Sequence, residues 1–152
     1  MSRIDIRELA KQWDAVLAVN QVSFTVAEGS LTVLLGPSGC GKSTILRLIA
    51  GLEAVSSGSV AIGGNEVTHM DPAKRGVSMV FQSYALFPHL YVRENILFGL
   101  KVRGISQSER RSRLEDAAHM VGLEALLNRK PAQLSGGQQQ RGALARSIVS
   151  RR

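Results

Sequence analysis

Apolar and polar residues alternate along several stretches of the chain, and such alternation is typical of half-buried strands. It predicts strands over residues 3–9, 22–26 and 59–62, with the first at the edge of a sheet. Two further stretches, residues 31–35 and 77–81, are apolar with little interruption. Runs of this kind are typical of strands that are buried on both faces of a parallel sheet, so we expect these two in the core.

A helical period replaces the alternation elsewhere. A helix that starts near Lys42 is predicted by its apolar face, and Gly51 can cap its C-terminus; the face consists of Ile45, Leu46, Leu48 and Ile49. The pattern predicts two more helices between residues 88 and 133, and Ser106 with Glu109 forms a capping box that opens the second. Their apolar stripes are Ile96, Leu97 and Leu100, and then Leu114, Ala117, Ala118 and Val121.

Between the strand at 31–35 and the helix that follows, the chain carries the pattern G-x-x-x-x-G-K-[ST] of a phosphate-binding loop. The loop consists of Gly36, Pro37, Ser38, Gly39, Cys40, Gly41, Lys42, Ser43 and Thr44. Its glycines let backbone N–H groups point at a triphosphate, Lys42 can reach the β- and γ-phosphates, and the Ser43 hydroxyl can ligate Mg²⁺. The alternative is a glycine-rich turn with an incidental lysine, which the match at every fixed position disfavours.

Residues 134–141, with the sequence LSGGQQQR, resemble the signature of ABC-type ATPases. The resemblance runs from Ile4 to Ser150 and looks closest to the ATPase subunits of bacterial importers for sugars, glycerol phosphate or polyamines. A plainer interpretation of this motif is a capping box, because Ser135 and Gln138 are spaced to cap a helix. The two interpretations are compatible, since a helix N-terminus is an anion-binding position in either case.

The resemblance implies an α/β fold, a P-loop NTPase of the ABC-type ATPase class with an antiparallel β edge and a helical subdomain. It implies a single, C-terminally incomplete ATPase domain over residues 1–152. Within this domain, residues 1–87 and 134–152 would form the nucleotide-binding core, and residues 88–133 would form the helical subdomain.

The resemblance also assigns site residues, with ATP and Mg²⁺ as cofactors. Trp13, in the predicted loop at residues 11–14, would stack on adenine; an ordinary packed aromatic residue is the alternative. Lys42 and Gln82 would act in hydrolysis, with Gln82 as a second Mg²⁺ ligand; a solvated loop glutamine is the alternative. In a head-to-tail pair with a second ATPase subunit, ATP would be covered by the signature residues Ser135, Gly136, Gly137 and Gln138.

Residues 85–88 would contact the transporter's membrane subunits, which places the protein in the cytoplasm, peripherally on the inner face of the cell membrane. Alternatively, Leu86 and Phe87 are internal packing residues.

The sequence shows no run of 18 apolar residues and no apolar signal-peptide core. Its single cysteine, Cys40, has no disulfide partner in the chain. A net charge of +7 could indicate nucleic-acid binding, but the basic residues are dispersed and only 5% of residues are aromatic, so no nucleic-acid partner is expected.

Family members continue past the signature into a Walker B strand, which ends in acidic residues, and a switch histidine. Neither is found after Arg141, so hydrolysis by this chain alone is doubtful, and residues 31–35 are expected to lack a neighbouring strand. A non-catalytic nucleotide-binding module that modulates a full-length transporter ATPase is therefore an alternative function. A small-molecule kinase or an ABC-type DNA-repair ATPase is a third, which the signature and the lack of heptad repeats disfavour.

Overall fold

Four antiparallel strands form a sheet in the first half of the chain, in the order β2-β1-β3-β4. The strands are β1 (Ile4–Trp13), β2 (Val16–Val26), β3 (Ser57–Ile62) and β4 (Asn65–Glu66). The chain divides into two compact units, Met1–Val77 and Ser78–Arg152, and each is described by itself. The computed structural model describes residues 2–150.

Strand β1 differs from its prediction in two respects. It lies between β2 and β3, so the prediction of an edge strand is wrong. It also continues to Trp13, so the loop predicted at residues 11–14 is reduced to a turn at Asp14 and Ala15. The physical reason is a set of register irregularities beyond Ile6, which interrupt the alternation and leave Leu9, Ala10 and Lys11 all buried.

One face of the sheet is covered by helix α1 (Lys42–Ala50), as its apolar stripe predicts. Ile45 and Leu48 of this helix belong to a core cluster with Ile6, Leu9, Val19, Val60 and Val67. Gly51 ends the helix in a left-handed conformation with φ of 76°, as expected for a C-terminal cap.

Arg75 fastens the C-terminal end of α1 by bonding to backbone carbonyls. Its guanidinium donates to the carbonyl oxygens of Leu48 and Ile49 at 2.9 and 3.0 Å, and to those of Met70 and Thr68 at 2.9 and 2.8 Å. A Cβ atom on residue 51 would collide with the guanidinium, so Gly51 is required by close approach as well as by its φ. The charge of Arg75 also suits a helix C-terminus.

The predictions of buried strands at residues 31–35 and 77–81 are wrong, because neither segment forms a strand. A strand exists only where another segment supplies hydrogen-bond partners, and no residue within 2–150 pairs with either segment. Leu31 and Leu35 are accordingly 92% and 88% exposed. Leu34 alone of this run packs against the core of the first unit.

Three helices surround the core of the second unit within its described residues: α2 (Val92–Val102), α3 (Gln107–Val121) and α4 (Gly136–Val149). Their shared core is apolar and includes Val92, Ile96, Leu100, Leu114, Ala117, Val121, Leu123, Leu134, Ala145 and Val149. Both predicted helices and their stripes are therefore confirmed. Short 3-10 turns at Glu124–Leu126 and Pro131–Gln133 connect α3 to α4.

The outer face of α3 carries charged pairs. Arg111 bonds Glu115 at 2.9 Å and Arg113 bonds Glu109 at 2.5 Å. None of the helices within residues 2–150 is long and apolar enough to cross a membrane.

Candidate functional site

The phosphate-loop residues lie together in the first unit, at the start of α1. Gly41 precedes the helix in a left-handed conformation with φ of 90°. A Cβ atom on Gly41 would lie 2.5 Å from the carbonyl oxygen of Ala18 in β2, so glycine alone fits here. The loop can therefore lie directly against the sheet, which fixes where α1 begins.

No side chain caps the first turn of α1. The first N–H groups of a helix have no partner within the helix, and together they form its positive end. The side chain of Lys42 lies at this end, where its Nζ donates to the carbonyl oxygens of Gly36 and Pro37 at 2.8 and 2.7 Å. The arrangement collects an ammonium group and uncapped N–H groups in one place, which is the donor set that an anion needs.

The other loop side chains fit a site that is open to solvent. Ser43 and Ser38 are exposed, and Ser43 follows Lys42 in the first turn of α1. Cys40 is exposed, free of any disulfide, and its Sγ lies 3.3 Å from Lys42 Nζ. A hydroxyl oxygen is a ligand type that Mg²⁺ accepts, so Ser43 fits its predicted role chemically.

Trp13 lies at the end of β1 and is 42% exposed, so it is not an interior residue. Its indole Nε1–H donates to Glu53 Oε1 at 3.3 Å, and Lys11 Nζ lies 5.3 Å from the centre of its ring. Sequence reasoning missed both neighbours. The hydrogen bond from Lys11 is the main reason that the pKa of Glu53 lies below its ordinary value of 4.5, and the bond from Trp13 lowers it further.

Gln82 lies in the second unit, in an exposed turn. It does not follow a strand, because residues 77–81 do not form one. The chain just beyond it is held by Arg146 of α4, whose guanidinium donates to the carbonyl oxygens of Ala85 and Tyr84 at 2.7 and 3.1 Å. Burial lowers the pKa of Arg146. Sequence reasoning missed Arg146, because nothing in the local pattern marks a side chain that bonds to a backbone some sixty residues away.

The signature residues form the N-terminus of α4 and confirm the predicted capping box. The Ser135 hydroxyl accepts from the N–H of Gln138 at 3.4 Å, and the Gln138 side chain accepts from the N–H of Ser135 at 2.9 Å. Gly136 and Gly137 are exposed, and an added Cβ on either would meet nothing within 4 Å. The two glycines therefore present bare backbone to solvent.

Phe87, in the predicted membrane-subunit patch, is packed within the second unit. Its backbone N–H donates to Asn95 Oδ1 at 2.7 Å, and its ring centre lies 4.7 Å from that of Phe98. Asn95 is fully buried and returns a bond to the carbonyl oxygen of Phe87 at 3.1 Å. These contacts favour internal packing for Phe87 and leave Phe98, at 42% exposure, as the more accessible ring.

The chain is similar to several ATP-binding proteins of importers. It is 52% identical to the sn-glycerol-3-phosphate import ATP-binding protein UgpC 1 of Rhizobium etli, over 98% of this chain and 43% of the relative. It is 48% identical to UgpC of Salmonella typhimurium, over 98% of this chain and 42% of the relative. It is also 48% identical to the sulfoquinovosyl glycerol transport ATP-binding protein SmoE of Agrobacterium fabrum, over 99% and 42%. The chain thus spans about two fifths of the length of these curated relatives.

Among solved structures, the chain resembles the ATP-binding cassette MJ0796, in a dimeric post-hydrolysis state bound to ADP and Pi. The TM-score is 0.86 at 33% identity, over 97% of this chain and 69% of that one. This likeness confirms the P-loop NTPase fold of the ABC ATPase class. Residues 19–152 match the ABC transporter family, and the chain belongs to that family.

Proposed function

We propose that this chain is the nucleotide-binding part of the ATP-binding subunit of a solute importer of the sugar or glycerol-phosphate type. The observation that carries the proposal is the uncapped N-terminus of α1 with Lys42 folded over its loop. A triphosphate would replace the two loop carbonyls as the partner of the Lys42 ammonium. The relatives are importer ATP-binding proteins, which supports the same role for this chain.

ATP and Mg²⁺ would be held from the two ends of the first unit. The N–H groups of residues 39–44 and the Lys42 ammonium would bind the phosphates, Ser43 would ligate the metal ion, and Trp13 would contact the adenine. Bound Mg²⁺ would neutralise phosphate charge. In the whole protein, Gln82 would add a metal ligand and sense the attacking water.

The second unit would supply contacts to partners. In a head-to-tail pair, Ser135, Gly136 and Gly137 of one subunit would cover the phosphates that are bound by the other. The region of residues 85–88 and Phe98 would dock on membrane subunits, so the protein would lie on the inner face of the membrane. In this proposal the core comprises residues 1–87 and 134–152, and the helical subdomain comprises residues 88–133.

The test is a titration of the chain with MgATP, followed by the fluorescence of Trp13, which is the only tryptophan. We expect saturable quenching that inorganic tripolyphosphate competes away, because both ligands need the same phosphate site. ATP turnover is assayed in the same sample. A folded chain that shows neither quenching nor any heat of binding in calorimetry would contradict the proposal.

A further inference from the structure

Beneath Trp13 lies a charged pair that the proposed nucleotide contacts do not explain. Lys11 Nζ bonds Glu53 Oε1 at 3.0 Å, with the two side chains only 10% and 26% exposed. Lys11 also donates to the carbonyl oxygen of Ala54 at 2.7 Å. Ion pairs withdrawn from water contribute little net stability, because desolvation offsets their attraction, so stability alone is a weak reason for this one.

Both members of the pair contact the indole, each in a different way. Glu53 accepts the Nε1–H bond at the ring edge, whereas the Lys11 ammonium lies over the ring, 5.3 Å from its centre. An edge contact and a face contact together fix the tilt of a planar ring, which neither contact would do alone. With 42% of Trp13 still exposed, the ring keeps free surface for a second planar group.

The position of Glu53 connects the indole to the phosphate-binding helix. Helix α1 begins at Lys42, ends at Ala50, and is followed by the Gly51 cap and then by Glu53. The carboxylate that bonds Trp13 therefore lies a few residues past the helix whose first turn would hold the phosphates. A short link of this kind limits the distance between a phosphate site and a base site.

We propose that Lys11 and Glu53 are positioning residues that hold the Trp13 ring for stacking on the aromatic base of a nucleotide, in register with the phosphates at α1. The inference rests on the proposed function, since it needs Trp13 to contact the base. The pair adds selectivity for a ligand with both a base and a phosphate chain over a bare polyphosphate.

The test compares MgATP with inorganic tripolyphosphate, which carries phosphates and no base. Glu53→Ala and Lys11→Met should each weaken MgATP binding about fivefold, as expected for loss of one polar contact, and leave tripolyphosphate affinity unchanged. Glu53→Gln keeps an acceptor for the indole N–H and should restore part of the loss. Asp5→Asn is the matched control, because it removes the charge of another paired carboxylate, at the start of β1, and should change neither affinity.

Trp13→Ala separates failure of this inference from failure of the proposed function. If Trp13→Ala leaves MgATP affinity unchanged, Trp13 does not contact the base, and its role in the proposed function is wrong. If Trp13→Ala weakens MgATP but Glu53→Ala and Lys11→Met do not, the positioning role is overturned. Equal weakening of MgATP and tripolyphosphate by those two variants would overturn it as well, since it would show a general effect on the fold.

A second measurement needs no nucleotide, and it can still be made if one of the variants fails to fold. Acrylamide quenching reports how freely the Trp13 ring is reached, and the conservative variant Glu53→Gln still offers the indole an acceptor. We expect greater quenching in Lys11→Met and Glu53→Ala than in the parent chain. Glu53→Gln should be quenched more than the parent chain and less than Glu53→Ala. Unchanged quenching in the folded variants would overturn the inference.

Discussion

The N-termini of α1 and α4 are both rich in glycine, yet they differ in their capping. Helix α4 is capped by its own sequence, since Ser135 and Gln138 satisfy each other's backbone N–H groups. Helix α1 begins after Gly41 with no side-chain cap at all. The first turn of α1 therefore has no side-chain partner for its N–H groups, whereas in α4 the Ser135 hydroxyl satisfies one of them.

The difference shows that glycines alone do not make an anion site. At α1 no side chain caps the helix, and the Lys42 ammonium bonds the loop carbonyls of Gly36 and Pro37, which in our proposal a triphosphate would replace as its partners. At α4 a phosphate would have to share or displace the Ser135 cap. In our proposal this gives the two ends different tasks, with α1 binding ATP first and α4 closing over ATP on a partner subunit.

The largest expected effect, on MgATP affinity, comes from removing the Lys42 charge at the uncapped N-terminus of α1. Lys42→Ala should weaken MgATP binding by at least about 100-fold, because a charge-assisted contact to the triphosphate is lost in the centre of the site. Calorimetry would measure the affinity. Lys74→Ala, at an exposed lysine of the same unit, is the control and should bind as the parent does. Equal affinities for Lys42→Ala and the parent chain would show that ATP binds elsewhere.

A second experiment tests how much the close approach of Gly41 to the sheet contributes to stability. Gly41→Ala should lower the free energy of unfolding by about 3 kcal/mol, from a left-handed backbone combined with a clash against Ala18. Gly29→Ala has a similar φ of 70° but open space, so about 1 kcal/mol is expected. Urea unfolding would measure both. If the two variants lose the same stability, the close approach at Gly41 is not significant.

A smaller effect is expected at the N-terminus of α4, where the serine cap can be compared with the serine cap of α3. Ser135→Ala and Ser106→Ala each remove a serine N-cap, at α4 and α3, and each should cost about 1 kcal/mol of stability. Only Ser135→Ala should also reduce ATP-dependent pairing of chains, measured by analytical ultracentrifugation. Equal pairing by the two variants would mean that the Ser135 hydroxyl serves the cap alone.

The smallest expected effect is a pH dependence at the base end of the first unit. The pKa of Glu53 is lower in the folded chain than its ordinary value of 4.5, so its contribution to stability is complete above that value. It is lost as the pH falls through the lowered folded pKa. Trp13 emission should therefore change with a midpoint below 4.5, and the change should vanish in Glu53→Gln. A midpoint at or above 4.5 would contradict the lowered pKa.

Features that depend on neighbours in sequence were predictable. The start of α1 near Lys42, the Gly51 cap of α1 and the Ser135 capping box each depend on residues a few positions apart, and all three are as expected. The stripes of α2 and α3 also match their buried faces, because a helix presents its own period whatever lies opposite.

Features that depend on distant partners were not predictable in this way. Residues 31–35 read as a core strand, yet strand formation needs hydrogen bonds from another segment, and the described chain provides none to them. Lys11 and Glu53 look like ordinary surface charges in sequence, and only the bulged end of β1 turns Lys11 inward to meet Glu53. Irregularity of this kind leaves no periodic trace.

The bonds from Arg75 to four backbone carbonyls affect which substitutions this protein can tolerate over evolutionary time. Its guanidinium recognises only main-chain oxygens, so the side chains at its four acceptor positions do not matter to these bonds. Those positions are free to drift as far as this contact is concerned, without a compensating change at Arg75. The constraint is concentrated in two residues, Arg75 and Gly51, which should vary together or not at all.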